Sequence, residues 1–316
     1  MTDRRVKVGV AGVGSLGQAH ARIYSEMAET ELVGVYDVDR KQVEKIARQY
    51  KTRVFSSLEE MASNVEAVSV VVPTDLHRKV AGDLIERGLH LLVEKPIAAT
   101  TSEAEDLVKM SREKNVILQV GHIERFNPVL TFLDQMTSKA RFIEAHRLAP
   151  YPPPREGLHP RGTEVSVVLD LMIHDLEVIL HLVNSPVKDI RAVGVPVLSP
   201  SEDIANVRLL FESGCVANVT ASRISPEKLR KIRVFFEDAY ISLDYQNQSG
   251  EIYRKTDAKI SRDKIKIEKG EPLAIELRSF AQCVLRRDKP VVTGEHAAEA
   301  LKLAVAITEK VRQGAS

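Results

Sequence analysis

Asp170 and His174 lie four positions apart in the stretch VVLDLMIHDLEVILHL, where nearly every other residue is apolar. Four residues make about one helical turn, so the two side chains share a face. The run from Val165 to Leu182 reads as a buried helix, and a buried His and Asp must be hydrogen-bonded or functional. An imidazole takes up a proton near neutral pH, which suits His174 to general-base work beside an orienting carboxylate. The same pair is equally suited to a structural hydrogen bond, or to a weak metal pair. Asp175 is adjacent in sequence but lies on another face, roughly 100° around. A third group, Lys95, stands in Glu94-Lys95-Pro96 after the apolar run His90 to Val93. Proline restricts the residue before it to an extended backbone, which helps to fix the direction of the Lys95 side chain. An ammonium there can hold a substrate oxygen; a solvated surface lysine is the ordinary alternative.

A second motif concerns phosphate. VGVAGVGSLGQAHARIY carries Gly12, Gly14 and Gly17 as G-x-G-x-x-G after a strand-like run and before a helical one. Gly12 permits a tight turn, Gly14 lets the backbone approach a pyrophosphate, and Gly17 allows close helix–strand packing. Ser15 and Leu16 open the helix, whose first N–H groups and positive dipole end suit an anion. A glycine-rich βα turn without a ligand has the same spelling. Asp37 adds weight: it ends the second strand about 20 residues beyond the last glycine, where an acid binds both ribose hydroxyls. A carboxylate there repels the 2′-phosphate of NADP, so NAD is the expected cofactor. The alternative for Asp37 is a helix cap, a role that Asp39 fits better. Arg40 is expected on the adenine face or in solvent.

These groups need a scaffold, and the spacing of apolar residues supplies one. Short β-branched runs at Val6–Ala11, Glu31–Tyr36, Arg53–Phe55, Ala67–Val72, His90–Val93 and Val116–Val120 alternate with helical stretches starting near Gly14, Arg40, Ser57, His77 and Thr101. Ser57 and Thr101 are placed as helix caps. Runs such as VSVVV are apolar throughout, as in a parallel sheet covered on both faces. The first part is therefore a doubly wound α/β domain. After Gly121 the pattern changes to a helix over Asn127–Ser138, a strand over Phe142–Leu148, a proline-rich loop and the long Asp–His helix. Seven strand-like runs between Ile190 and Glu268 follow, several joined by hairpin turns, which is an antiparallel sheet. Two helices, Ala274–Arg287 and Glu295–Gln313, end the chain. The fold class is α/β, with a boundary at residue 122: 1–122 binds the dinucleotide and 123–316 forms an α+β domain whose last helix is expected to pack back on the first.

Composition narrows the function classes. Lys plus Arg number 45 and Asp plus Glu 44, for a net charge of +1. No global field is available to attract nucleic acid or an anionic membrane. Two cysteines, Cys215 and Cys283, make neither a disulfide framework nor a metal motif and read as buried thiols. No signal peptide or membrane span is legible, so a cytoplasmic protein without a metal is expected.

The run GVAGVGSLGQAH, VVPTDLH, VEKP, GHIERFNP and DLMIHDLE resembles the Gfo/Idh/MocA family of sugar oxidoreductases in order and spacing across essentially the whole chain. The resemblance implies a Rossmann domain followed by an α+β domain with a large, mostly antiparallel open sheet used in dimer or tetramer contacts. It implies that Lys95, Asp170 and His174 form the catalytic set, and that Pro73, Thr74, His77, Glu94 and Lys95 border the cofactor. It also suggests a cis bond before Pro96. The spelling of GHIERFNP, VVLDLMIHDLE and SRISPEKLRKIRVFF is similar to members that oxidise the 3-hydroxyl of UDP-N-acetylglucosamine. A nucleotide sugar needs cations for its diphosphate, and Arg155, Arg161, Arg223, Lys228, Arg230 and Lys231 are available. Surface solvation is the ordinary fate of such residues. His122, Arg125 and Asn127, just past the sixth strand, are expected near the substrate, although Asn127 is also placed to cap a helix. Two alternatives stand: an inositol or free-sugar dehydrogenase with the same catalytic set, and a non-catalytic NAD-binding regulator.

Overall fold

The computed structural model describes residues 4–136, 138–154, 160, 162–256 and 259–314. The chain divides into two compact units, Met1–Phe126 with Glu271–Ala298, and Asn127–Gly270 with Glu299–Ser316. The division thus falls at Phe126 rather than at residue 122, and a C-terminal segment returns to the first unit.

The first unit alternates strands and helices: β1 (Val6–Ala11), α1 (Ser15–Glu26), β2 (Thr30–Tyr36), α2 (Arg40–Gln49), β3 (Arg53–Val54), α3 (Leu58–Ala62), β4 (Ala67–Val70), α4 (Thr74–Glu86), β5 (His90–Glu94), α5 (Thr101–Glu113) and β6 (Leu118–Gly121). The strands form one sheet in the order β3-β2-β1-β4-β5-β6, and every pairing is parallel. All residues of β4 and β5 are buried, which accounts for their mostly apolar spelling. Helix α4 starts at Thr74, earlier than expected, and α5 is capped by Thr100, not Thr101, in a reciprocal box with Glu103. The later α8 (Pro272–Arg286) belongs to this unit: Leu273, Leu277, Phe280, Ala281 and Val284 share a core with Val8, Val10, Ile23 and Val35.

The second unit opens with α6 (Leu130–Leu133), a single turn where a helix over Asn127–Ser138 was expected. Asn127 explains part of the difference, because its Oδ1 accepts the Val129 N–H at 3.4 Å and holds the chain in a turn. Then come β7 (Phe142–Leu148), a π-helical turn (Val168–Met172), α7 (Ile173–Val183), β8 (Val187–Val195), β9 (Ile204–Phe211), β10 (Val216–Ser222), β11 (Leu229–Phe235), β12 (Ala239–Asp244), β13 (Ser249–Thr256) and β14 (Lys259–Ile265). They form an eight-stranded sheet, β14-β13-β12-β11-β7-β10-β9-β8. It is antiparallel except where β7 runs parallel to β10, from Phe142 opposite Val216 to Leu148 opposite Ser222. Parallel neighbours need a crossover, and here the chain between them passes through α7, β8 and β9. One face is core, with Ile143, Ala145, Ala217, Val219, Ile232, Val234, Ile241 and Leu243 fully buried, and alternate residues point away. The last helix, α9 (Gly294–Gly314), gives its first turn to the first unit and the rest to the second.

Candidate active site

In a parallel sheet the ligand crevice lies at the C-terminal strand ends, where the strand order reverses. Here that is between β1 and β4, and the glycine turn sits there. Gly12 adopts φ +90°, and a Cβ on it would stand 2.4 Å from the Val71 carbonyl oxygen. Gly17 packs so closely on Gly12 that a Cβ would overlap its carbonyl. Around Gly14 no atom lies within 4 Å of a Cβ position, and no side chain caps the helix that it begins. The first N–H groups of α1 are thus left without a side-chain cap, as a pyrophosphate site requires. Ser15 is exposed, whereas the Leu16 side chain packs on the core and leaves only its backbone to a ligand. Asp37 accepts N–H bonds from Val13 at 2.7 Å and Asp39 at 2.9 Å, while Asp39 caps α2 through Gln42 N at 3.1 Å. The residues present therefore fit a dinucleotide. Arg40 is exposed in the first turn of α2, Pro73 is exposed before α4, and Thr74 is half-buried.

His77 departs from expectation. Its ring nitrogens lie 2.8 Å from the Pro96 carbonyl and 2.9 Å from that of Val72, and the residue is buried, so the ring's polar atoms are taken up by the protein's own backbone. Burial also pushes the imidazole below its ordinary pKa, against those two acceptors. Its work is to join the end of β4 to the Lys95–Pro96 peptide, which is cis. Two apolar side chains that sequence reasoning missed, Val38 and Leu76, are 87% and 40% exposed where β2 ends and α4 begins. Exposure on that rim was the signal, and it is visible only after folding.

Lys95 follows the buried Glu94, whose carboxylate is 3.2 Å from His20 Nε2 of α1. Gly121 at the end of β6 makes room for it: a Cβ there would stand 2.7 Å from Glu94 Oε1. The next residue, His122, is fully buried, and burial followed by the nearby Lys95 and Arg125 charges pushes it down to about 3. It is a neutral imidazole at physiological pH, able to donate one hydrogen bond and accept another but unable to act as a cation. Arg125 is half-buried in the 3₁₀ turn Ile123–Phe126.

In the second unit Asp170 lies within the π turn and His174 in the first turn of α7, where a continuous α-helix from Val165 was expected. π turns mark functional sites in helices. Both side chains are half-buried, whereas Asp175 is buried and paired with Arg147 at 2.6 Å. Asp175 is therefore structural. Gly162, at φ +83°, leaves the space that the Asp170 carboxylate fills, since a Cβ on it would be 2.4 Å from Oδ2.

Two expected substrate ligands are corrected. Arg223 is 2% exposed and all five of its N–H donors are taken by protein acceptors, so it has none for a diphosphate. Asn127 is buried and donates to the Tyr245 carbonyl at 3.1 Å, which makes it part of the frame. Arg155 and Arg161 lie outside the described residues, Lys228 and Arg230 are exposed, and Lys231 is half-buried on β11.

Sheet order, glycine turn and the carboxylate ending β2 define a class, that of dinucleotide-binding Rossmann oxidoreductases. Comparison with known proteins is more specific. Residues 6–122 match the family described as oxidoreductase, NAD-binding Rossmann fold, and residues 138–242 match the GFO/IDH/MocA C-terminal domain. A UDP-N-acetylglucosamine 3-dehydrogenase of Acidithiobacillus ferrooxidans is 36% identical over 88% of both chains. Its solved structure superposes with a TM-score of 0.92 at 33% identity, covering 98% of this chain and 99% of that one. A scyllo-inositol 2-dehydrogenase (NAD(+)) of Bacillus subtilis is 26% identical over 99% of this chain and 96% of its own. The chain belongs to the Gfo/Idh/MocA oxidoreductase family and is an enzyme of that class. No helix among the described residues is long and apolar enough to cross a membrane.

Proposed function

We propose that this protein oxidises the 3-hydroxyl of UDP-N-acetylglucosamine to a ketone, with NAD as the hydride acceptor, in the cytoplasm. The observation that carries the reading is the 36% identity, over 88% of both chains, to a dehydrogenase of that name. NAD, when bound, supplies an electrophilic nicotinamide carbon that takes the hydride. The residues expected to hold it are Gly12 to Gly17 at the pyrophosphate and Asp37 at the ribose, with Val38 and Leu76 available to pack on the adenine. His174 takes the hydroxyl proton, leaving the oxygen's electron pair to form the carbonyl as the carbon gives up its hydride. Lys95 donates to the same oxygen and steadies the charge that develops on it. Asp170 orients His174 and stabilises its charged form. NAD is favoured over NADP because the Asp37 carboxylate opposes a 2′-phosphate.

The open face of the eight-stranded sheet is the proposed surface for a homodimer or homotetramer. It carries half-exposed aromatic residues and cross-strand ion pairs such as Arg233–Glu144 at 3.1 Å.

The test mixes purified protein and NAD with UDP-N-acetylglucosamine, UDP-N-acetylglucosaminuronic acid or myo-inositol, and follows NADH absorbance. NADH with UDP-N-acetylglucosamine alone, lost in Lys95→Ala and His174→Ala, is the expected result. A signal with myo-inositol alone moves the protein to the inositol reading, which the match over 99% of the chain favours. Tight NAD binding with no turnover of any sugar leaves two readings: another substrate or a trapped cofactor, or a regulator without chemistry.

A further inference from the structure

Arg223, directly after β10, is one of the largest fully buried side chains among the described residues. Its Nε donates to Asp203 Oδ1 at 2.8 Å. Nη1 donates to the carbonyl oxygens of Gly162 and of Val165, the latter at 2.8 Å. Nη2 donates to Ser201 Oγ at 3.0 Å and to the Glu202 carbonyl at 3.2 Å. Asp203, its anchor, also accepts the backbone N–H groups of Val197, Leu198 and Ser199 at 2.9, 2.6 and 2.9 Å. Burial alone raises a carboxyl pKa, but Arg223 and these N–H groups win and hold Asp203 well below the usual carboxylate range. Two bonds run beside the guanidinium: Ser201 Oγ donates to the Val165 carbonyl at 2.9 Å, and Val167 N donates to the Glu202 carbonyl at 3.0 Å.

The segment Gly162–Val167 is thereby stitched along its length to the start of β9, and it leads straight into the π turn. Ser166 accepts Asp170 N on its carbonyl at 3.0 Å and Val168 N on its hydroxyl at 3.1 Å. Gly162, whose carbonyl Arg223 holds, is the wall against which the Asp170 carboxylate rests. A shift of that wall moves the carboxylate.

We propose that Arg223 is a positioning residue for the Asp170–His174 pair, acting through the backbone of Gly162 and Val165. The proposal rests on the reading in which that pair handles the substrate proton. What Arg223 supplies is a rigid planar fork that reaches both carbonyls while keeping its ion pair. Lysine preserves the charge but not the fork.

The experiment compares Arg223→Lys and Gly162→Ala with Ile241→Ala, a core truncation on β12 that lowers stability without touching β10. The readouts are melting temperature, kcat, KM for NAD, and the ¹⁵N ring signals of His174 at fixed pH, assigned by their loss in His174→Gln. Arg223→Lys and Gly162→Ala are expected to lower kcat about 10-fold or more, since small misplacements are costly, with KM for NAD unchanged. Both are expected to move the His174 ring signals, and Ile241→Ala to lower the melting temperature and do neither. A folded Arg223→Lys variant with wild-type kcat and wild-type His174 signals overturns the proposal. Should the wild type oxidise none of the sugars, the functional reading falls, and the ring signals still decide whether Arg223 positions the pair.

Discussion

The Val13 N–H donates to Asp37 Oδ2 at 2.7 Å, fixing the carboxylate that ends β2 against the glycine turn. A second N–H, from Asp39, holds Oδ1 at 2.9 Å, so the group cannot swing away when a ribose or a 2′-phosphate arrives. Charge-assisted hydrogen bonds of this kind contribute roughly 1.5–3 kcal/mol. Asp37→Ser is expected to weaken NAD binding about 10-fold, as such losses imply, and to narrow the preference for NAD over NADP. Fluorescence titration with both cofactors reads this directly. An unchanged preference would move the discrimination to Arg40.

Gly12 and Gly14 respond differently to the same substitution. Gly12→Ala places a Cβ 2.4 Å from the Val71 carbonyl oxygen at a left-handed φ, and it is expected to cost about 2–4 kcal/mol of stability. Gly14→Ala meets no atom within 4 Å and should fold within about 1 kcal/mol of wild type. Its cost falls on the ligand: the methyl group stands where the pyrophosphate approaches, and NAD affinity is expected to drop about 10-fold or more. Urea unfolding and calorimetric titration separate the two effects. Equal affinity for NAD in Gly14→Ala would remove the glycine turn from the cofactor site.

Stability should fall as pH is lowered below about 6.5, the ordinary histidine value, before the carboxylates titrate. Burial pushes His122 down to about 3 and, with Arg287, His90 to about 4, and burial lowers His77 as well. The His122 and His90 rings stay neutral in the fold while the unfolded chain takes up protons, so the unfolded state binds more protons in that window and gains as pH falls. Above the window they contribute no slope. The slope is at most about 1.4 kcal/mol per pH unit for His122, and less for His90, where solvent screening enters. His90→Gln gives up the Ile117 N–H bond of 2.9 Å and lowers stability at neutral pH, yet it should flatten the slope. Urea melts at about pH 7.5, 6.5 and 5 provide the test; a variant slope equal to wild type would place His90 outside the titrating set.

The first unit was largely legible because its signals are local. Strands β1, β4 and β5 are short, mostly apolar and almost wholly buried, the glycine spacing is rigid, and Asp39 and Ser57 cap helices as spelled. What escaped depends on distant partners. Nothing near Arg223 in the sequence announces Asp203 or the four other acceptors, so an arginine that looks solvated is a buried clamp. The family resemblance implied a cofactor contact for His77, but two carbonyls from separate segments claim its ring. The π turn at Asp170 shares the apolar spelling of an α-helix, since the pattern of burial alone does not register one extra residue in a turn. The parallel pairing of β7 with β10 is likewise invisible in strands that alternate as antiparallel ones do.

The open face of the second sheet supports the last prediction. Phe142, Phe235, Tyr240 and Tyr253 stand in register on adjacent strands, with ring centroids 5.5, 4.5 and 5.1 Å apart in succession. The Arg262 guanidinium extends the row, 5.8 Å from the Tyr253 ring. Aromatic rows rimmed by charge suit association, because rings bury large apolar area at small entropic loss while the rim fixes orientation. Phe235→Glu puts a carboxylate in the middle of that row, where a partner surface would have to desolvate it. The face already stands outside the core, so the fold itself should survive the change. Sedimentation equilibrium is expected to show a dimer or tetramer for the wild type and a monomer for Phe235→Glu, with melting temperature little changed. A wild type that sediments as a monomer sinks the proposed surface outright; a Phe235→Glu variant that stays assembled moves the contact elsewhere on the chain.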